Sequence, residues 1–126
     1  MSATPTDDVP RFEITSAAAA KGARVVRIAG EIDIAHEEEV REALSSAIDE
    51  ATAGVVVDLT DCGFIDSTGV RALLLGREAQ REQEDEGRLA VAANSEQILR
   101  ILSLMGVDKA IPVRPTVDEA IGELTG

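Results

Sequence analysis

Aromatic side chains are nearly absent from the chain: Phe12 and Phe64 are the only two, and tryptophan and tyrosine are missing. A core must therefore be assembled from Val, Ile, Leu and Ala, and the base-stacking platforms of single-strand nucleic-acid binders are not there. One cysteine, Cys62, excludes an intramolecular disulfide, and with a single histidine there is no Cys/His cluster at metal-ligand spacing. Positive charge is scarce as well. Twelve basic against 24 acidic side chains leave a net charge of −12, which repels a phosphate backbone or an anionic bilayer. The first thirty residues carry no basic segment followed by an apolar stretch, and nowhere do about 18 apolar residues run uninterrupted. These absences predict a cytoplasmic protein that contacts no nucleic acid directly and does not insert into membranes.

What is present is the material of one globular domain: 126 residues, 44% of them hydrophobic. Residues 1–10 are too polar to join a core and read as a flexible N-terminal arm, leaving 11–126 as the domain. Phe12, Glu13 and Ile14 alternate like a strand, and 24–28 form a second, predicting an antiparallel hairpin. Between 36 and 52 the apolar positions Val40, Ala43, Leu44, Ala47, Ile48 and Ala51 recur every three or four residues, the mark of a helix. Glu37, Glu38 and Glu39 crowd its first turn, where carboxylates complement the helix dipole, and Gly54 ends it.

Val55, Val56 and Val57 open a β-branched run to Leu59, the pattern of a buried central strand. Residues 60–69 read as a turn-rich connection. Helix resumes from Val70 to a stop at Gly87, with Val70, Leu73 and Leu74 facing the core and Arg77, Gln80, Arg81 and Glu84 facing water. Arg88–Ala92 is a further strand. Ser95 is placed to cap a helix carrying Ile98, Ile101, Leu102 and Met105 on its buried face, ended by Gly106. Ile111, Pro112 and Val113 make an edge strand, and Thr116 with Glu119 form a capping box before a last helix with Val117, Ala120, Ile121 and Leu124 inward. The predicted order is ββαβαβαβα: an α/β domain with helices packed on a mixed, mostly parallel sheet entered by an antiparallel hairpin.

Chemistry concentrates in 60–69, where a central strand gives way to a helix. Asp66, Ser67 and Thr68 stand at that helix start, where backbone N–H groups lack partners. A side-chain oxygen there can cap the helix, and a phosphate there can be held by the same donors; spacing leaves both open for Asp66 and Ser67. Asp58, Asp61 and Asp66 do not make a convincing magnesium cluster, because no glycine-rich phosphate loop with its lysine accompanies them and 55–69 hold no Lys or Arg. Ser67 lacks the setting of a hydrolytic nucleophile: the sole histidine, His36, reads as a surface residue, and no G-x-S-x-G elbow is present. Cys62 reads as a small turn-proximal or buried residue with nothing nearby to lower its pKa.

Residues 64–70, Phe-Ile-Asp-Ser-Thr-Gly-Val, preceded by the run 55–59, resemble the phosphorylation loop of STAS domains, specifically the bacterial anti-sigma factor antagonists. Ala29, Gly30, Glu31, Ile32 and Asp33 are similar to the family's Gly-Glu-hydrophobic-Asp after its second strand; 101–110 and 111–120 are similar to its helix exit and terminal strand and helix. The resemblance spans about residues 11–124. It implies an antagonist, not an enzyme and without a cofactor or metal, that binds an anti-sigma factor serine kinase while unphosphorylated, is released by phosphorylation of Ser67, and is restored by a serine phosphatase, thereby regulating sigma-dependent transcription. Thr68 stands where a second serine is common and is a second candidate hydroxyl. Arg71 occupies a position that is small in many members, one turn beyond Ser67. The partner-facing surface it implies comprises Asp33, Asp66, Ser67, Thr68, Gly69 and Arg71; a loop carboxylate such as Asp33 serves equally to form a turn. The alternative is a STAS scaffold subunit of a transporter or stress-sensing assembly, in which the same loop is a docking surface.

Overall fold

The computed structural model describes the backbone of residues 12–51, 53–82 and 88–125, and the side chains of these except 76–82, 88 and 125. The expected arm at 1–10, the helix stop at Gly87 and the outward side chains Arg77, Gln80, Arg81 and Glu84 lie outside what is described.

The expected hairpin is formed by β1 (Glu13–Ala18) and β2 (Ala23–Ile32), antiparallel with Ile14 opposite Ile28. Lys21 and Gly22, both at positive φ, reverse the chain between them. β2 is ten residues long and alternates inward at Val26, Ile28, Gly30 and Ile32. Its first half pairs in parallel with β3 (Gly54–Asp58), which is buried from end to end. β3 pairs in parallel with β5 (Arg88–Ala92), and β5 with the edge strand β6 (Val113–Arg114), giving the order β1-β2-β3-β5-β6. Pro112 sits just ahead of that edge and its carbonyl accepts the Val91 amide at 2.9 Å.

The predicted order ββαβαβαβα needs two corrections, because the turn-rich connection 60–69 contains a strand and the exit of the third helix contains a short helix. β4 (Cys62–Ile65) pairs in parallel with the second half of β2, Gly30 opposite Cys62 and Ile32 opposite Ile65. The register shifts between Gly30 and Glu31, where Gly30 takes a positive φ of 89°. A tight turn makes this possible: Asp58 Oδ1 accepts both the amide and the hydroxyl of Thr60, at 3.0 and 2.7 Å. Arg27 of β2 then grips Asp61 Oδ2 through Nη2 at 2.6 Å and Nε at 3.1 Å.

Helices cover both faces. α1 (Glu37–Glu50), α2 (Ser67–Glu82), α3 (Glu96–Leu104) and the four-residue α4 (Val107–Ala110) lie on the side built by Val26, Ile28, Val55, Val57 and Leu59. α5 (Val117–Thr125) packs Ala120, Ile121 and Leu124 on the opposite side against Val56, Ala90 and Ala92. α1 starts after a 3-10 turn, Ile34–His36, rather than at His36 itself. The capping oxygen of Thr116 accepts the Glu119 amide at 3.1 Å as expected, whereas Ser95 precedes α3 without a side-chain cap bond.

Candidate functional site at the start of the second helix

β4 delivers the chain to the start of α2 beside the end of β2, because Ile65 and Ile32 are paired and the Asp66 amide bonds the Ile32 carbonyl at 3.2 Å. Asp66 then caps the helix. Its Oδ1 accepts the Gly69 amide at 3.0 Å and its carbonyl accepts the Val70 amide at 3.1 Å. Ser67 is thereby the first residue of α2, exposed, with a hydroxyl that bonds no other group among the described residues. Thr68 is half-buried.

Gly69 is buried for a steric reason: a Cβ there would lie 2.7 Å from Ile65 Cγ1 and 2.9 Å from Ile32 Cγ2. The missing side chain lets the first turn of α2 sit directly on the ends of β2 and β4. Val70 and Leu73, fully buried, anchor the turn that follows.

The end of β2 brings a second loop to the same place. Asp33 Oδ1 accepts the Ala35 amide at 3.0 Å and forms the 3-10 turn, the turn-making role that its loop position allowed. His36 is not a free surface residue. Its ring stacks on Phe12 at 3.9 Å between centroids, and its buried Nδ1 lies 3.2 Å from Asp33 Oδ1 without hydrogen-bond geometry.

Ile34, Glu37, Ser67, Thr68, Arg71, Leu74 and Met105 line one open groove across these loops. Of the expected site residues, Ser67, Thr68 and Arg71 face it; Asp66 and Gly69 build the helix start beneath it, and Asp33 shapes the neighbouring turn. The apolar members were not foreseen. Met105, read as core, is the C-cap of α3 and 39% exposed, with Gly106 following at a left-handed φ of 80°. Ile34 is 71% exposed, and the only hint in the sequence was an apolar residue belonging to neither adjoining period.

The three aspartates considered for a metal are separately engaged: Asp58 with Thr60, Asp61 with Arg27, Asp66 with Gly69. Among the described residues no group of three or more His, Cys, Asp or Glu is placed to hold a metal ion, and no helix is long and apolar enough to cross a membrane. Cys62 is buried, its Sγ 3.2 Å from the Phe64 carbonyl, and burial pushes the thiol pKa up, helped by the Glu31 charge and opposed by that hydrogen bond.

The family model of the STAS domain matches residues 15–120. The chain belongs to the STAS family. An anti-sigma F factor antagonist of Paenibacillus polymyxa is 30% identical over 105 residues, covering 82% of this chain and 88% of the relative. Among solved structures, an anti-sigma factor antagonist from Mycobacterium paratuberculosis superposes with a TM-score of 0.77 at 24% identity, covering 98% of both chains, and shows the same fold. SpoIIAA, an anti-sigma factor antagonist, superposes in its unphosphorylated form with a TM-score of 0.72 at 25% identity over 90% of this chain and 97% of that one, and has also been solved in the phosphorylated form. In this STAS domain the β4–α2 junction carries the Asp-Ser-Thr-Gly segment, with Arg71 one turn further along α2.

Proposed function

We propose that this STAS domain is an anti-sigma factor antagonist of the cytoplasm that binds an anti-sigma factor serine kinase through the groove beside Ser67 and is released when Ser67 is phosphorylated. The observation that carries this reading is the free, exposed hydroxyl of Ser67, left available because Asp66 supplies the cap. The kinship with antagonists, one of them solved with and without phosphate, supports it.

The domain is the substrate and its partner brings the ATP. Ser67 Oγ attacks the terminal phosphorus, the bond to the ADP oxygen breaks, and the hydroxyl proton leaves to a base of the kinase. The product carries about −1.5 to −2 units of new charge, tolerated by the fold because it sits at a helix N-terminus. The partner meets a hydrated dianion where it had packed on Ile34 and Met105, and a loss of about 3 kcal/mol weakens binding roughly a hundredfold. A serine phosphatase reverses the change. With a net charge of −12 the antagonist acts through these proteins and not on nucleic acid.

The test is capture from lysate of the source cell with wild-type, Ser67→Ala and Ser67→Asp baits, bound proteins being identified by mass spectrometry. An ATP-binding kinase of the anti-sigma type retained by wild type and Ser67→Ala and reduced on Ser67→Asp supports the switch. Equal recovery of transporter or sensory subunits on all three baits overturns it in favour of a docking scaffold.

A further inference from the structure

Ser67 and Arg71 are four residues apart on α2, which stacks their side chains on one helix face with about 5–6 Å between Cβ atoms. Both line the groove. Arg24, Arg27, Arg41 and Arg114 each face an acidic partner, whereas Arg71, like Arg100 on α3, is exposed and forms no ion pair or hydrogen bond among the described residues; of these two only Arg71 lines the groove. The other charged residue lining the groove is Glu37, which lies toward Arg41 at 3.9 Å.

Apart from the helix N-terminus, the charged side chains nearest Ser67 other than Arg71 are acidic. The Asp66 carboxylate already takes the Gly69 amide, so one of the unpaired backbone donors of the first helical turn is spent, and that carboxylate adds negative charge next to Ser67. Glu37 adds another across the groove, and Asp33, beside His36, stands in the adjoining turn. Arg71 is the one cationic side chain among the residues lining the groove.

We propose that Arg71 is the internal counter-ion of phosphorylated Ser67, its planar guanidinium holding two phosphate oxygens across one turn of α2. This rests on the reading of Ser67 as the phosphorylation site. It adds a consequence for regulation: one modification withdraws two groups from the partner, the serine hydroxyl and the arginine that had been free to engage it. The phosphorylated face then presents a closed ion pair over the groove in place of an uncommitted cation beside an apolar floor.

The experiment installs phosphoserine at position 67 during translation, so that no kinase is needed, and follows its second ionisation by 31P NMR at low ionic strength. The ordinary value is about 6. The phosphate of otherwise wild-type protein is expected to ionise about half a unit or more below that of the Arg71→Gln variant. Lys21→Gln, which removes a charge from the hairpin turn at the opposite end of β2, is expected to match wild type. An unchanged value in Arg71→Gln, or an equal rise in Lys21→Gln, overturns the counter-ion. The capture experiment on Ser67 is decided independently, since the titration makes no use of the kinase.

Discussion

Asp66 Oδ1 and the backbone amide of Gly69 are 3.0 Å apart, and this bond assigns the cap of α2 to the aspartate and leaves the following serine free. Replacing Asp66 with Ala is expected to cost about 1 kcal/mol, the usual worth of an N-cap. Urea unfolding measures it; an unchanged midpoint would mean that the cap is not formed in solution.

Ser67→Ala removes a hydroxyl that bonds nothing among the described residues. Its stability is expected to stay within about 0.5 kcal/mol of wild type while labelling by the cognate kinase disappears. The contrast with Asp66→Ala is the informative part. A loss as large as that of the cap variant would show a structural role for the serine, and labelling that persists at Thr68 would move the site.

At Gly69 two effects oppose each other. Alanine is the better helix former by about 1 kcal/mol, but its Cβ would meet Ile65 and Ile32 below 3 Å. Both neighbours are fully buried and cannot retreat, so Gly69→Ala is expected to destabilise by about 1–3 kcal/mol. In an Ile65→Ala background the same change is expected to cost less, and an undiminished cost would place the strain elsewhere.

Cys62 gives a pH dependence with a defined sign. Burial raises the thiol pKa in the folded protein, so as pH climbs the unfolded chain loses its proton first. The contribution is fully present below the unfolded thiol's value, about 8.5, and is lost as pH rises from there through the folded value. Wild type and Cys62→Ala are therefore expected to differ by a constant amount between about pH 6 and 8, and wild type to lose ground above about pH 9. Parallel stabilities up to about pH 10 would contradict the buried thiol.

Much of the fold was legible because its signals are local. The valine run 55–57 announces β3 since every side chain there is buried, whichever face it takes. The hairpin, the capping Thr116 and the periodic faces of α1 and α5 are legible for the same reason: each depends on residues within a few positions of one another. β4 escaped because Gly63 and Phe64 are exposed and the strand exists only by pairing with Gly30, Glu31 and Ile32, some thirty residues away. Met105 was misplaced although the stop at Gly106 was expected, because helical spacing says which residues share a face and not how far the core extends along it, and Met105 stands as the exposed C-cap.

The site divides in the same way. The Asp-Ser-Thr-Gly segment at a helix start and Arg71 one turn later are properties of the chain alone, since neighbours in a helix are set by its pitch. Sequence could not choose between Asp66 and Ser67 as the cap, because both side chains suit that position. The choice was made when pairing of Ile65 with Ile32 anchored the Asp66 amide and began the helix at Ser67. The same pairing set Ile34 beside Ser67, and the end of α3 added Met105, so that a short polar motif acquired an apolar groove. Contacts of that kind join residues distant in the chain, and only the packing of the whole domain determines them.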